Sequence, residues 1–313
     1  MNIIGPVTIA FRLSDLTLAS VTWPMLTVRR PLDLSDSPDP DPSWSDAEIP
    51  SNARGVILRE HCIGPGLPII SNSQGCLRYL MKQYRHCYID MTIGFEGYRL
   101  KFSSKTRATI SRKVKKFAEH CGGSLHWTMH RTESEVSSFL ERASVLVGRT
   151  YQEKLLGLGL PLTDEFAQSA RALAREDRVR AFLLFDGDRP VSYLFCPISN
   201  GVVEYAYLGY DPDYRSHSVG TVLQWVALES LFSEGAFSCF DFTEGESDHK
   251  RLFATHERLC GNVLFVRANL KGYALVYGHR VFDVVSNRAG ALLERWGLRS
   301  RIRNALRFGI GRA

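Results

Sequence analysis

The spacing of apolar positions along the chain changes near residue 179. Before that point the informative periods are helical. Residues 103–120 carry Ile110, Val114 and Phe117 on one helical stripe, with Ser103 and Ser104 offering N-caps and Gly122–Gly123 a stop. Helices also fit 133–146 and 163–176. From 179 onward, apolar runs at 179–185, 189–197 and 202–208 are separated by Asp186-Gly187-Asp188 and Ser199-Asn200-Gly201, turns of the hairpin kind, and predict three successive strands. A polar loop at 211–220 feeds a helix over 221–233 with Val222, Trp225, Val226, Leu228 and Leu231 as its apolar positions, ended by Gly235. Strands at 237–242 and 260–268 bracket a short helix over 247–255. The first hundred residues predict strands over 7–30 and 54–59, a short helix over 75–85 and a buried strand at 86–92.

Composition refines this picture. Residues 31–52 hold six acids, five prolines and no basic residue, which predicts a loop or flexible excursion with too little apolar surface to order strongly. The chain has 313 residues, 44% apolar and 23% charged, as in a soluble globular protein of one large or two modest domains. No apolar run approaches the roughly 18 residues of a membrane span, and the N-terminus, interrupted by Arg12 and Asp15, lacks a signal-peptide pattern. Seven cysteines, an odd number without a C-x-x-C pair, argue against a metal site or a disulfide framework and for a reducing compartment. The expected location is the cytoplasm, or the inner membrane face as a peripheral protein.

The net charge is +6, and residues 279–313, with eight arginines against Asp283 and Glu294, account for 8 − 2 = +6 of it. This tail reads as two amphipathic segments. Val281, Val285, Leu292 and Trp296 form one stripe and Leu298, Ile302 and Leu306 another; Arg299, Arg303 and Arg307 share a face. Such a helix packs on its own domain or a second subunit, lies on an anionic membrane, or meets nucleic acid. A second basic surface lies on helix 103–120, where Lys105, Arg107, Arg112, Lys113, Lys115 and Lys116 occur without an acid across 103–116. It is a solvated face, or a wall that attracts an anionic donor or acceptor.

The strand–loop–helix at residues 204–228 carries the candidate chemistry. A helix N-terminus presents unpaired N–H groups and a positive dipole end, and so can hold a pyrophosphate. Here Leu208 and Tyr210 lead into Arg215, Ser216, His217, Ser218, Val219, Gly220 and Thr221, which offer a fixed charge, hydroxyl donors and a close backbone approach at Gly220. Arg215-Ser-His-Ser218-Val-Gly220 resembles the acyl-CoA-binding motif of GNAT acyltransferases, Arg/Gln-x-x-Gly-x-Gly/Ala, with Ser218 at the first glycine. Two further blocks resemble the CelD/BcsL-type family of that superfamily. Residues 88–120 (YIDMTIGFEGYRLKFSSKTRATISRKVKKFAEH) are similar to its entry region, in which Ser-Ser-Lys-x-Arg opens a basic helix. Residues 241–253 (DFTEGESDHKRLF) are similar to its Asp-Phe-x-x-Gly block, with Lys250 at the family lysine and His249 at the usual tyrosine. In residues 205–221 the Ser-x-Gly matches that family's donor-binding segment. The resemblance spans residues 88–268.

That resemblance implies an α/β (α+β) GNAT fold. Its mixed, mostly antiparallel sheet is splayed near the centre and flanked by helices, and an N-terminal α/β half precedes it, degenerate and GNAT-like under one reading. The expected division is 1–100, a core over 101–275 and a tail over 276–313. The implied activity is bacterial-type N-acyl transfer from acyl-CoA, acetyl or longer, or from an acyl-carrier protein. The acceptor is an amine on a small molecule, a sugar or a polysaccharide precursor, and no metal is needed. Direct attack needs a base for the ammonium proton, a donor for the oxyanion and a proton or positive charge for the thiolate. Glu204, Asp241, Lys250 and His249 are the catalytic candidates. Glu204 sits in an apolar strand, where burial would raise its pKa, or at the sheet edge; Asp241 acts in catalysis or caps the loop after it. Lys250 stabilises negative charge or is a solvated helix residue. Tyr207 and Tyr210 protonate the thiolate or belong to the core. Arg107, Tyr207 and Glu244 are the candidate acceptor contacts. Two other readings stand beside this one: a Fem-like transferase using aminoacyl-tRNA, favoured by the basic helix and tail, and a non-catalytic protein that kept the fold.

Overall fold

The computed structural model describes residues 2–13, 16–29, 32–35, 37–148 and 159–295. The tail positions Trp296, Leu298, Arg299, Ile302, Arg303, Leu306 and Arg307 lie outside the described residues. The chain forms two compact units, one from Met1–Arg30, Asp36–Tyr84 and Leu259–Ala313, the other from Pro31–Ser35 and Arg85–Arg258.

The first unit is a sheet in the order β1-β2-β3-β12-β5. β1 (Asn2–Leu13) and β2 (Leu16–Arg29) form an antiparallel hairpin. β3 (Gly55–Cys62) runs parallel to β2 and antiparallel to β12 (His256–Arg267), which belongs here from Leu259. β4 (Ile70–Ser73) pairs with the start of β5 (Cys76–Asp90), which belongs here through Tyr84. The helix expected over 75–85 is therefore strand. Gln74 and Gly75 both take positive φ, 45° and 83°, and close a two-residue hairpin between Ser73 and Cys76. Cys76 to Leu80, Arg78 among them, are buried on both faces, so the stretch carries no period by which a strand could be told from a helix.

The acidic loop is ordered over its described residues, against the expectation of a flexible excursion. Its acids meet fixed cations and ring nitrogens of the same unit: Asp41 pairs with the buried Arg78, Asp46 with Arg267 at 2.7 Å, and Asp39 with His61 at 3.0 Å. Ile49 and Trp44 pack on the sheet face formed by Val56, Leu58, Val263 and Phe265. The opposite face, with Ile9, Met25, Ile57 and Leu264, is covered by Leu275 and Val276 of the helix Leu270–Arg295, numbered α7 below.

The second unit continues from the end of β5 in the order β5-β11-β9-β8-β7-β6. Its strands are β6 (His126–His130), β7 (Val179–Asp186), β8 (Arg189–Ser199), β9 (Val202–Glu204), β10 (Tyr207–Tyr210) and β11 (Cys239–Asp241). All pairings are antiparallel except β9 with β11. Period-2 alternation sorts β7 and β8 between two cores. Phe182, Leu184, Leu194 and Cys196 meet α1 (Gly94–Leu100), α2 (Ser104–His120) and α5 (Val219–Glu234). Ala181, Leu183, Phe185, Tyr193 and Phe195 meet α3 (Glu133–Val147) and α4 (Asp164–Arg175). A sheet buried on both faces explains why the sequence reads there as unbroken apolar runs.

The predicted strand at 202–208 is two strands. Val203 pairs with Ile198, but Tyr207 pairs with Phe195, so the 203–207 stretch holds one more residue than its partner. This is a β-bulge at Tyr205–Ala206. Past it, β10 stays on β8 and leaves β11. The close packing of β10 on β8 depends on Gly209, since a Cβ there would lie 2.4 Å from the ring of the fully buried Tyr193. Gly209→Ala is expected to cost about 1–3 kcal/mol by overpacking, measured as a lowered urea midpoint with unchanged slope.

Candidate active site

The sheet opens at one residue pair. β9 and β11 run parallel through Val202↔Cys239, Val203↔Phe240 and Glu204↔Asp241. The last bond across them is Tyr205 N–H to Asp241 O, 2.8 Å. Asp211 N–H still bonds Val191 O on β8. Alternation along an antiparallel ladder then turns the main-chain groups of Leu208 and Tyr210 away from β8, to the side that β11 has left. The bulge so converts a strand interior into an open edge facing a cleft.

That cleft has a volume of about 420 Å³ and is lined by Tyr205, Leu208 and Tyr210, by Arg215 and Ser218 to Thr221, and by Ser247, His249 and Lys250. A 3-10 helix, Pro212–His217, precedes α5 where a plain loop was expected. Ser218 joins the two in the left-handed conformation, φ 54° and ψ 37°, and its side chain caps nothing. Thr221 and Val222 N–H both turn back to Ser218 O, while Val219 and Gly220 stand in the first turn, where a helix has no carbonyl for its amides. The first turn of α5 carries no acid. An uncapped N-terminus of a 16-residue helix therefore opens on the cleft beside the Arg215 guanidinium. A Cβ at Gly220 would lie 3.4 Å from Leu208 and Tyr210, ordinary contact that leaves no room for branches.

The remaining candidates divide into those in the cleft and those that shape it. Ser216 and His217 do not line it: Ser216 O accepts from Lys116 Nζ at 3.2 Å, and the His217 ring packs 4.5 Å from that of His120. Tyr207 turns to the other core, beside Phe166 and Phe195. Arg107 closes the turn before α2, donating to Phe102 O at 2.5 Å. Glu244 O accepts from Lys250 Nζ at 2.9 Å. Glu204 is half-buried at the last pair before the opening. Asp241 is buried; its Oδ1 accepts from Thr243 N–H at 2.7 Å and meets His86 Nε2 at 2.5 Å. It thereby shapes the turn at Thr243, where φ is 58°.

Lys250 and His249 reach the cleft from α6 (Asp248–Phe253), a six-residue helix capped by the Ser247 hydroxyl. His249 Nε2 lies 2.5 Å from Oε1 of the fully buried Gln224 on α5. Burial, reinforced by Lys113 and Lys250, pushes this imidazole down to about 4. Burial likewise raises the Tyr205 phenol. At neutral pH the inner cleft thus holds a neutral imidazole and a neutral phenol beside one ammonium.

Sequence reasoning missed Gln224, His86, Tyr205 and Ser247. Two of them left a signal: Gln224 is the one polar residue in the apolar run 222–228, and His86 opens an apolar strand. Among the described residues no group of three His, Cys, Asp or Glu side chains could hold a metal ion, and no helix is long and apolar enough to cross a membrane.

Residues 104–251 match the family model described as an acetyltransferase (GNAT) domain. The mixed, mostly antiparallel open sheet with flanking helices is that of the GNAT fold, and the chain carries a GNAT acyltransferase domain. No curated protein matches it. Among solved structures it is similar to the C-terminal domain (DUF2156) of a putative lysylphosphatidylglycerol synthetase from Agrobacterium fabrum, at 12% identity over 84% of each chain with a TM-score of 0.48. It is similar to FemX at 10% identity over 87% of this chain and 90% of that one, TM-score 0.48. A GCN5-related N-acetyltransferase from Kribbella flavida shows 12% identity over 69% of this chain and 68% of that one, TM-score 0.35.

Two outcomes follow from this geometry. Ser218→Gly relieves a left-handed residue whose side chain makes no cap, and should raise stability by about 0.5–1 kcal/mol in chemical unfolding, whereas Ser218→Val should lower it by more than that. The folded-state pKa of His249 lies near 4, below the unfolded 6.5. The unfolded chain therefore binds more protons between these values, and stability falls as pH drops from 6.5 toward 4. His249→Gln should flatten that slope in unfolding midpoints taken between pH 4.5 and 7; an identical slope would sink the assignment of a buried neutral ring.

Proposed function

We propose that the domain is an N-acyltransferase of the CelD/BcsL type, which moves an acyl group from an acyl-CoA thioester to an amine on a small molecule, a sugar or a polysaccharide precursor by direct attack. The observation that carries this reading is the uncapped N-terminus of α5, entered through left-handed Ser218 and opening on a cleft whose far wall is the freed main chain of Leu208 and Tyr210.

Each part has a chemical use. Arg215 and the amides of Val219 and Gly220 suit the phosphates of the donor. The main-chain groups of Leu208 and Tyr210 suit the amides of its arm, and an N–H there can polarise the thioester carbonyl. The bound donor supplies an activated carbonyl with a thiolate leaving group. Glu204, half-buried at the mouth of the opening, takes the ammonium proton through water, which leaves the amine lone pair free to form the C–N bond as the C–S bond breaks. Lys250 offers positive charge to the departing thiolate, which takes up the second proton that the nitrogen sheds as it becomes an amide. Asp241 is kept for positioning, since its Oδ1 is already engaged by His86 and Thr243.

A second reading, an aminoacyl-tRNA donor, is favoured by one observation. Lys116 of α2 reaches Ser216 O at the loop before α5, and Lys113 lies close enough to His249 to lower its pKa. These cations suit a polyanion larger than a pyrophosphate.

Calorimetry with acetyl-CoA, longer acyl-CoAs and an acyl-carrier protein tests the donor. Binding with a shallow salt dependence is expected for a CoA thioester; a steep log–log slope seen only with aminoacyl-tRNA would transfer the assignment to the second reading. Gly220→Val should weaken acyl-CoA binding by about tenfold or more while Gly220→Ala is tolerated, because branches at this Cβ meet Leu208 and Tyr210. An unchanged dissociation constant in Gly220→Val would remove the donor from this cleft. Release of free thiol with a panel of amines separates an enzyme from a protein that only binds.

A further inference from the structure

The helix α7 (Leu270–Arg295) of the first unit has two different apolar faces. One is packed: Leu275 and Val276 are buried, and His279 and Phe282 sit against Phe11 of β1, at 5.3 and 5.8 Å between rings. The other is open. Leu270 is 86% exposed, Tyr273 39%, Tyr277 49%, Val281 62% and Val285 57%. At 100° per residue these five fall within about 120° of one another, centred opposite Leu275, Val276 and His279. Tyr273 and Tyr277 stack at 6.1 Å and 11°.

The open stripe is flanked by positive charge. Lys271 lies on one side of it and Arg280 on the other; Arg280 is also 3.3 Å from Asp283, which sits toward the packed side. At the N-terminal end of the stripe a cavity of about 200 Å³ is lined by Arg54, Arg267 and Lys271 with Trp23, and by no acid. Arg54 lies over the Trp23 ring at 5.4 Å. In the sequence that follows, residues 296–313 add five arginines and no acid.

We propose that this face of α7, with the basic cavity at its end, docks on an anionic phospholipid bilayer. An exposed apolar stripe with tyrosines and basic borders matches the acyl–headgroup boundary: the stripe enters the apolar layer while Lys271, Arg54 and Arg280 stay among the phosphates. A second copy of the chain fits less well. An isologous contact centred on the stripe would bring the basic flanks of both copies together, with no acid on the stripe to offset them. The inference does not depend on the acyl-transfer reading, because every residue in it belongs to the other unit.

The test is co-sedimentation of the full chain with vesicles of phosphatidylglycerol and phosphatidylcholine, against phosphatidylcholine alone. Binding to the anionic vesicles only is expected, weakened by salt. Val281→Glu with Val285→Glu should reduce the partition coefficient by about tenfold or more with unchanged circular dichroism and melting temperature. Arg54→Ala with Lys271→Ala should each contribute about a fivefold loss, the equivalent of about 1 kcal/mol per basic residue. No partition at low salt would overturn the proposal. So would wild-type partition in the double glutamate variant, including the case in which only Arg299, Arg303 and Arg307→Ala abolish binding. A chain that is dimeric in sedimentation, is dissociated by the glutamates and ignores vesicles would give the stripe to a second copy instead.

Discussion

The candidate site depends on one extra residue. If β9 and β10 were a single strand in constant register, Tyr207 would face Leu194 on β8 and β11 could continue beside it. Instead the bulge at Tyr205–Ala206 shifts the register by one, and the sheet parts after Glu204↔Asp241. A bulge bends one strand and leaves its partner nearly undisturbed, so the opening is one-sided. Gly209 fixes that asymmetry by letting β10 lie close on Tyr193. The main-chain groups freed on the other side lie next to the N-terminus of α5, where further amides lack partners. Two sources of unpaired donors, a strand edge and a helix end, thus converge on one cleft.

Holding the opposite wall of the cleft is the harder problem. α6 has six residues, too few to be stable alone. Ammonium groups meet carbonyls at both its ends: Lys250 binds Thr243 O and Glu244 O before it, and Lys101 binds Leu252 O and Ala254 O where it stops. Burial pushes Lys101 down to about 8, which is the cost of that clamp. On the inner side, Asp241 and His86 fix the turn at Thr243, and Gln224 fixes the His249 ring. Asp241 and His86 are buried and paired with each other, the arrangement in which polar groups specify a geometry rather than destabilise it.

Much of this was legible in the sequence because it rests on local rules. The cap of α2, the hairpin turns and the donor loop follow from short patterns, and the cleft-lining residues Leu208, Tyr210, Arg215 and Ser218 to Thr221 lie in one continuous stretch. The parts that were not legible depend on pairing between distant segments. The bulge is a difference of register between two strands and leaves no mark in either. The partners of Asp241 and His249 lie 155 and 25 residues away. The strand at 76–85 read as a helix because burial on both faces over Cys76 to Leu80 removes period-2 alternation there. The acidic loop read as flexible because its composition shows its charges and not the cations that meet them. Ser218 is an instructive middle case. Its backbone is the left-handed one that a glycine would take most easily, so the motif position is preserved in conformation though not in residue type.

The charge distribution sets what such a cleft can hold. Arg215 lies at its edge and Lys113 and Lys116 beside it, while the interior offers neutral His249, the raised phenol of Tyr205 and the carbonyl-bound ammonium of Lys250. A ligand charged along its whole length would have to shed water from its inner end without a matching set of cations. A wholly neutral one would leave the helix dipole and Arg215 unused. The gradient favours a molecule anionic at one end and neutral at the other, with its neutral end placed where β10 exposes its main chain. Acyl transfer needs that polarity. In the acyl transfer proposed above, the donor's phosphates would supply affinity at the rim, away from the reacting atoms, and its carbonyl would enter a region of low dielectric, where a single oriented N–H stabilises developing negative charge more strongly than it could in water. The one-residue bulge therefore does more than open space: it decides which end of the ligand meets charge and which meets the bare strand.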